Sequence, residues 1–171
     1  PEVFDGVVSL HTIHHLPIDE HVRAYDGLFR TLLPNRNAVV VNGWHKPRLG
    51  VALDRLRKFT LRVRGFINRR ILGRKTQISE GNLAQEAQKR HDTKSTFVEK
   101  NTAEWITANV SSQMPLEIRV WRSISVKNMR AFIHDGWGGR NLLKLLFWLE
   151  DRFPHWFGEN GQYPLVVIQK P

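Results

Sequence analysis

Residues 1–44 constrain the fold more than any other part of the chain. Phe4-Asp5-Gly6-Val7-Val8-Ser9-Leu10 is a short apolar run, a helical stretch follows Pro17, and Ala38-Val39-Val40-Val41 is a second apolar run beyond Pro34. Strand, helix and strand in this order read as one right-handed crossover of a parallel sheet. Both runs are almost continuously apolar, so both faces of the sheet need cover. The outer edge of the first strand would stand unpaired if nothing preceded it, and the expectation is a missing front half before Pro1.

Length and composition set wider limits. A chain of 171 residues suits about one domain, and 41% hydrophobic content is enough to bury a core. The absence of cysteine removes disulfides and thiolate metal sites. No apolar run is long enough to span a bilayer, and no secretory signal pattern opens the chain, so the cytoplasm is the expected location.

The net charge of +10 is concentrated in one place. Residues 45–75 carry eleven Lys and Arg against the single acid Asp54, which accounts for the whole surplus. Leu49, Leu53, Leu56, Phe59 or Thr60, Val63, Phe66 or Ile67, and Ile71 recur there at intervals of three and four, the spacing of a basic amphipathic helix. Its plainest reading is a lid that packs its apolar stripe on the domain and leaves its arginines in water. A second reading docks residues 48–75 on an anionic membrane surface, where each cation contributes about 1 kcal/mol and Phe59, Phe66 and Ile67 enter the headgroup boundary. Nucleic acid ranks last, because no recognised motif is present and the aromatics do not interleave with the arginines.

From Thr76 to Lys100 the chain is polar and reads as an exposed helix and loop. Asn101 with Glu104 offers a capping-box-like start for a helix carrying Trp105, Ile106 and Val110. Leu116 to Ile124 alternates as a half-covered strand, and Tyr163 to Gln169 gives a final strand. Between them Leu142, Leu143, Leu145, Leu146, Phe147, Trp148 and Leu149 are apolar on nearly every side, with Phe132, Trp137, Phe153, Trp156 and Phe157 around them. A satellite core is the favoured reading of this aromatic segment, and a pocket for an apolar or lipid-linked molecule is the alternative. The glycines of Gly136-Trp137-Gly138-Gly139 read as turns. No Gly-x-Ser-x-Gly elbow, His-Glu-x-x-His helix or lysine-bearing phosphate loop occurs, which leaves hydrolase and nucleotide-triphosphatase readings without support.

His11, His14 and His15 follow the carboxyl end of the first strand, where open α/β sheets place ligands. His11 and His15 are four apart, the zinc spacing on a helix, but His11 still belongs to the strand end, so no metal site is assigned.

Phe4 to Pro17 fits the pattern FDxVxSxxxxHHLP, Leu28 to Pro34 falls where a helix closes in LxRxLxPGG, and an apolar strand follows at Ala38 to Val41. In these residues the chain resembles the second half of class I S-adenosylmethionine-dependent methyltransferases, of the type 11/12 kind. One departure is Asn35-Arg36 in place of two glycines, so the turn must use asparagine's tolerance for positive φ. The resemblance implies a partial Rossmann-like sheet with helical insertions, closed by an antiparallel pair. It divides the chain into residues 1–44 of the core, a basic lid or insertion at 45–100, and the rest of the core with its aromatic insertion at 101–171. It implies S-adenosylmethionine as cofactor, lying beside Ser9, Leu10 and His11, with His15 at the start of the following helix. It makes His14 or His15 a candidate general base for a hydroxyl acceptor, either small or lipid-linked. The family's Gly-rich loop and ribose-binding acid do not precede Phe4, so this stretch alone is expected to be inactive. The reading from another class is a non-catalytic module that binds anionic membrane through the basic helix.

Overall fold

The computed structural model describes residues 2–70, 97–133 and 138–171, with the side chains of 61 and 63–70 outside the description. Most of the polar segment and Trp137 therefore lie outside the described residues, as do the side chains of Phe66 and Ile67.

Strand β1 (Phe4–Leu10) passes through a 3-10 turn (Ile13–His15) into helix α1 (Ile18–Thr31), and β2 (Leu32–Val41) follows at once. Pro17 sits immediately before α1 with φ −58, and Asp19 and Glu20 place negative charge on the helix's positive end. β1 and β2 pair in parallel, from Gly6 opposite Asn37 to Leu10 opposite Val41. The second strand starts at Leu32, earlier than the apolar run at Ala38. Leu32 is fully buried and pairs with Phe4, and the next pair is Gly6 with Asn37, so the residues between are pushed out as a bulge. Asn35 lies in that bulge with φ 59, the left-handed geometry expected of it.

The basic segment is helical as expected, forming α2 (Arg48–Arg70). Helix α3 (Ala103–Asn109) is capped by Thr102, whose hydroxyl accepts from the Trp105 N–H at 3.2 Å. Asn101 is therefore not the cap. Its side-chain amide is 2.7 Å from His21 Nδ1, while His21 Nε2–H donates to the Leu16 carbonyl, so Asn101 satisfies a buried imidazole instead.

Strand β3 (Leu116–Arg122) and helices α4 (Val126–Phe132), α5 (Gly139–Arg152) and α6 (Pro154–Asn160) lead to β4 (Tyr163–Gln169). The sheet order is β1-β2-β4-β3, with β4 antiparallel to both neighbours. The fold is thus α/β and partially Rossmann-like, a parallel crossover extended by an antiparallel pair. Gly138, with φ 69, makes the turn into α5. The main core gathers Tyr25, Ile106 and Val110 from α1, α3 and the end of α3 against Ala38, Val40, Ile118, Val166 and Ile168 of the sheet. These sheet residues alternate along their strands and so share one face.

The aromatic segment is not a satellite core. Leu142, Leu145, Phe147 and Trp148 of α5 are all exposed, with Trp148 at 59%, and the one buried residue of that helix is Gly139. The cause is competition for the sheet: α6, not α5, packs on β3, and there Phe157 and Gly158 are buried. Phe153 and Trp156 stay exposed beside α5. At the other side of the sheet, β1 is an edge strand whose Phe4, Val8 and Leu10 are exposed.

Candidate functional site

β1, β2 and β3 all point their carboxyl ends the same way, and β4 begins at that end. His11, Asn42, Arg122 and Tyr163 therefore arrive together. His11 donates its backbone N–H to Val41 O at 2.8 Å and adopts φ 56, a left-handed geometry that costs a non-glycine residue about 1–2 kcal/mol. That reversal carries the chain off the strand into the 3-10 turn, braced by the hydroxyl–hydroxyl bond of Ser9 with Thr12.

Sequence placed the three histidines near this end, and the structure brings their rings into contact. His11 and His14 are 5.6 Å apart edge to face, and His14 and His15 are 4.3 Å apart. His14 and His15 lie in the 3-10 turn, not at the start of α1. Ser9, one residue before the end of β1, is half-buried, while the Leu10 side chain is exposed.

The buried His14 is held by Asn42. Its Nδ1 lies 3.3 Å from Asn42 Oδ1, which can only accept, so Nδ1 carries the proton and Nε2 keeps its lone pair. The other end of the amide donates to the Tyr25 hydroxyl at 3.4 Å. Burial pushes the Tyr25 phenol well above its ordinary value and keeps it protonated. His15 Nδ1–H donates to the Phe97 carbonyl at 2.8 Å, and Glu99 N–H donates to the His14 carbonyl at 2.8 Å. Residues 97–100 are thereby strapped over the turn.

Electrostatics set the protonation state. Burial lowers the pKa of His11, helped by the Arg122 guanidinium, the Lys100 ammonium and His15. Burial also lowers His14, opposed by its bond to Asn42 and aided by the charges of His15, His11 and Lys100. Both imidazoles are consequently neutral at neutral pH.

Tyr25, Asn42, Lys100, Arg122 and Tyr163 were missed by sequence reasoning. The carboxyl-end rule that singled out the histidines would also have found Asn42, one residue past Val41, had it been applied to the second strand. Arg122 and Tyr163 needed the register, in which they face each other across β3 and β4.

Among the described residues, no group of three or more His, Cys, Asp or Glu is arranged to hold a metal ion. A shallow hollow of about 350 Å³ lies at the opposite end of the sheet, lined by Asn35, Asn37, Pro115 and Gln169. Its one cation, Lys170, is already bound to Glu2 and the Leu32 carbonyl, so the hollow offers no free reactive group. No described helix is long and apolar enough to cross a membrane.

No protein-family model and no curated protein matches the chain. Among solved structures, it is similar to an S-adenosylmethionine-dependent methyltransferase from Archaeoglobus fulgidus, at 10% identity and a TM-score of 0.46, covering 99% of this chain and 60% of that one. It is similar to the cyclase SpnF at 14% identity and 0.42, covering 99% and 50%. A Haemonchus contortus phosphoethanolamine N-methyltransferase, solved with phosphomonomethylethanolamine and S-adenosylhomocysteine, gives 11% identity and 0.44, covering 100% and 34%. The chain spans between about a third and three fifths of the length of these structures.

Proposed function

We propose that these residues form the acceptor-binding side of an S-adenosylmethionine-dependent methyltransferase. The supporting observation is the gathering of His11, His14, His15, Asn42 and Tyr163 at the carboxyl ends of β1 and β2, on a backbone that fits the pattern FDxVxSxxxxHHLP. The described residues suit the methyl-bearing end of the cofactor, beside Ser9, Leu10 and His11. When bound, the cofactor supplies an electrophilic methyl group on sulfur. The chain's own part is to orient a small or lipid-linked acceptor and to accept its proton at His14 Nε2, with His15 beside it. The unpaired backbone edge of β1 is where further strands would continue the sheet, and Phe4, Val8 and Leu10 stand exposed on its uncovered face.

Calorimetric titration of the native polypeptide carrying these residues with S-adenosylhomocysteine tests the reading. Binding is expected, and Ser9→Arg is expected to abolish it by filling the backbone approach. Absence of any binding in the unmodified protein sinks the assignment.

A second reading is favoured by the exposed apolar side chains of α5 and of α2, including Phe59 at 62%. α2 touches α4 and α6, and α6 touches α5, so basic and apolar surfaces adjoin. In this reading the pair docks on an anionic membrane, bringing the site to lipid-linked acceptors. Changing Arg62, Arg64, Arg69 and Arg70 together to Gln should release the protein from phosphatidylserine vesicles in a sedimentation assay. Unchanged sedimentation removes the membrane role and leaves α2 a lid.

A further inference from the structure

Among the described residues, cations converge on the site without a matching acid. The Arg122 guanidinium carbon lies 4.5 Å from the centre of the Tyr163 ring, and that ring meets His11 edge to face at 5.3 Å. Lys100 reaches the same place from the strap: a Cβ on Gly43 would sit 3.5 Å from Lys100 Nζ and 3.6 Å from the Tyr163 ring. The buried Gly43 thus lies within van der Waals reach of both the Lys100 side chain and the Tyr163 ring, which puts the two side by side.

The nearby carboxylates are committed elsewhere. Glu99, next to Lys100, accepts from the Ile18 N–H at 2.6 Å, and Glu150 accepts from the N–H and hydroxyl of Ser123, next to Arg122. Among the described residues neither Lys100 nor Arg122 pairs with an acid. Arg122 Nε is buried with no hydrogen-bond partner, a donor whose desolvation nothing in the described structure offsets. Such a fork, pinned by an aromatic face and left with free N–H groups, is suited to bidentate capture of a carboxylate or phosphate.

We propose that His11, Lys100, Arg122 and Tyr163 form a binding site for an anionic group, a carboxylate or a phosphate monoester, carried by the acceptor. The proposal deepens the methyltransferase reading and rests on it for the word acceptor. The anion site itself stands on the cluster's geometry. A bound anion offsets the Arg122 and Lys100 charges that add to burial in holding His11 unprotonated, occupies the orphan Nε–H of Arg122, and accepts from the Tyr163 hydroxyl. It also fixes one end of the acceptor a few ångströms from His14, so that the opposite end is the part free to react.

The test follows the ring C–H resonances of His11 by NMR through a pH titration of the native polypeptide, without added anion, with inorganic phosphate, and with acetate. The lowered His11 pKa should rise when an anion binds. Arg122→Gln should weaken the anion at least about tenfold, the loss of one charge-assisted contact. Lys100→Gln, a change at an exposed side chain, should weaken it in the same direction and serves if the first variant fails to fold. A larger response to phosphate assigns a phosphate monoester, and a larger response to acetate assigns a carboxylate. A His11 titration that ignores both anions overturns the site, as does an anion affinity untouched by both substitutions. S-adenosylhomocysteine titrated into the same samples keeps the two ideas apart. Cofactor binding without anion binding removes only the anionic acceptor, and anion binding without cofactor binding removes only the methyltransferase.

Discussion

Gly158→Ala should cost about 3 kcal/mol of stability or more, read as a lower urea midpoint with an unchanged slope. A Cβ at this position would lie 2.5 Å from Arg119 C and 2.6 Å from Arg119 O. Both are backbone atoms of β3, so no side-chain rotation relieves the overlap and α6 must lift from the strand. Lifting also strains the bond from Trp44 Nε1–H to the Gly158 carbonyl, 2.6 Å long and buried. Gly27→Ala is the control: its Cβ would meet nothing within 4 Å, and in the middle of α1 alanine should stabilise by about 0.5–1 kcal/mol. A Gly158→Ala protein with the wild-type midpoint would show that α6 does not pack on β3 this closely.

His14→Gln should lower methyl transfer by about a hundredfold while leaving S-adenosylhomocysteine affinity unchanged. Glutamine preserves a hydrogen-bonding group of similar reach toward Asn42 but cannot take a proton. The assay is transfer of labelled methyl from S-adenosylmethionine into an extract of metabolites and lipids. The wild-type rate should fall on the acid side as His14 gains a proton, and because burial lowers its pKa that fall belongs below the ordinary histidine value. The substituted protein should lack this acid limb. An equal rate and an identical pH profile would leave His14 as a structural partner of Asn42 and nothing more.

Much of the local structure was legible because it depends on neighbours in the chain. Pro17 before a helix, the alternation from Leu116, the run Tyr163–Gln169 and the positive φ of Asn35 each follow from a few adjacent residues. The misreadings share a different cause. Asn101 has the chemistry of a cap, but His21, eighty positions away, needs its amide, and Thr102 is left to cap α3. The apolar residues of α5 suggest burial, yet only one helix can occupy that stretch of β3, and the small Gly158 lets α6 approach more closely. The histidines were found because they are contiguous with a strand end. Arg122 and Tyr163 became neighbours only through strand pairing, which periodicity does not specify.

The position of β4 has a consequence for how the protein is made. Among the described residues β3 finds its sheet partner in β4 alone, and β4 reaches the parallel pair by inserting between β2 and β3. During synthesis β1, α1 and β2 can associate early, through contacts close in sequence. β3 must wait, with its backbone edges unpaired, until Tyr163–Gln169 has left the ribosome. Arg122 and Tyr163 are brought together in that same last step, so a nascent chain acquires its histidines' scaffold first and its cation pocket only on closure.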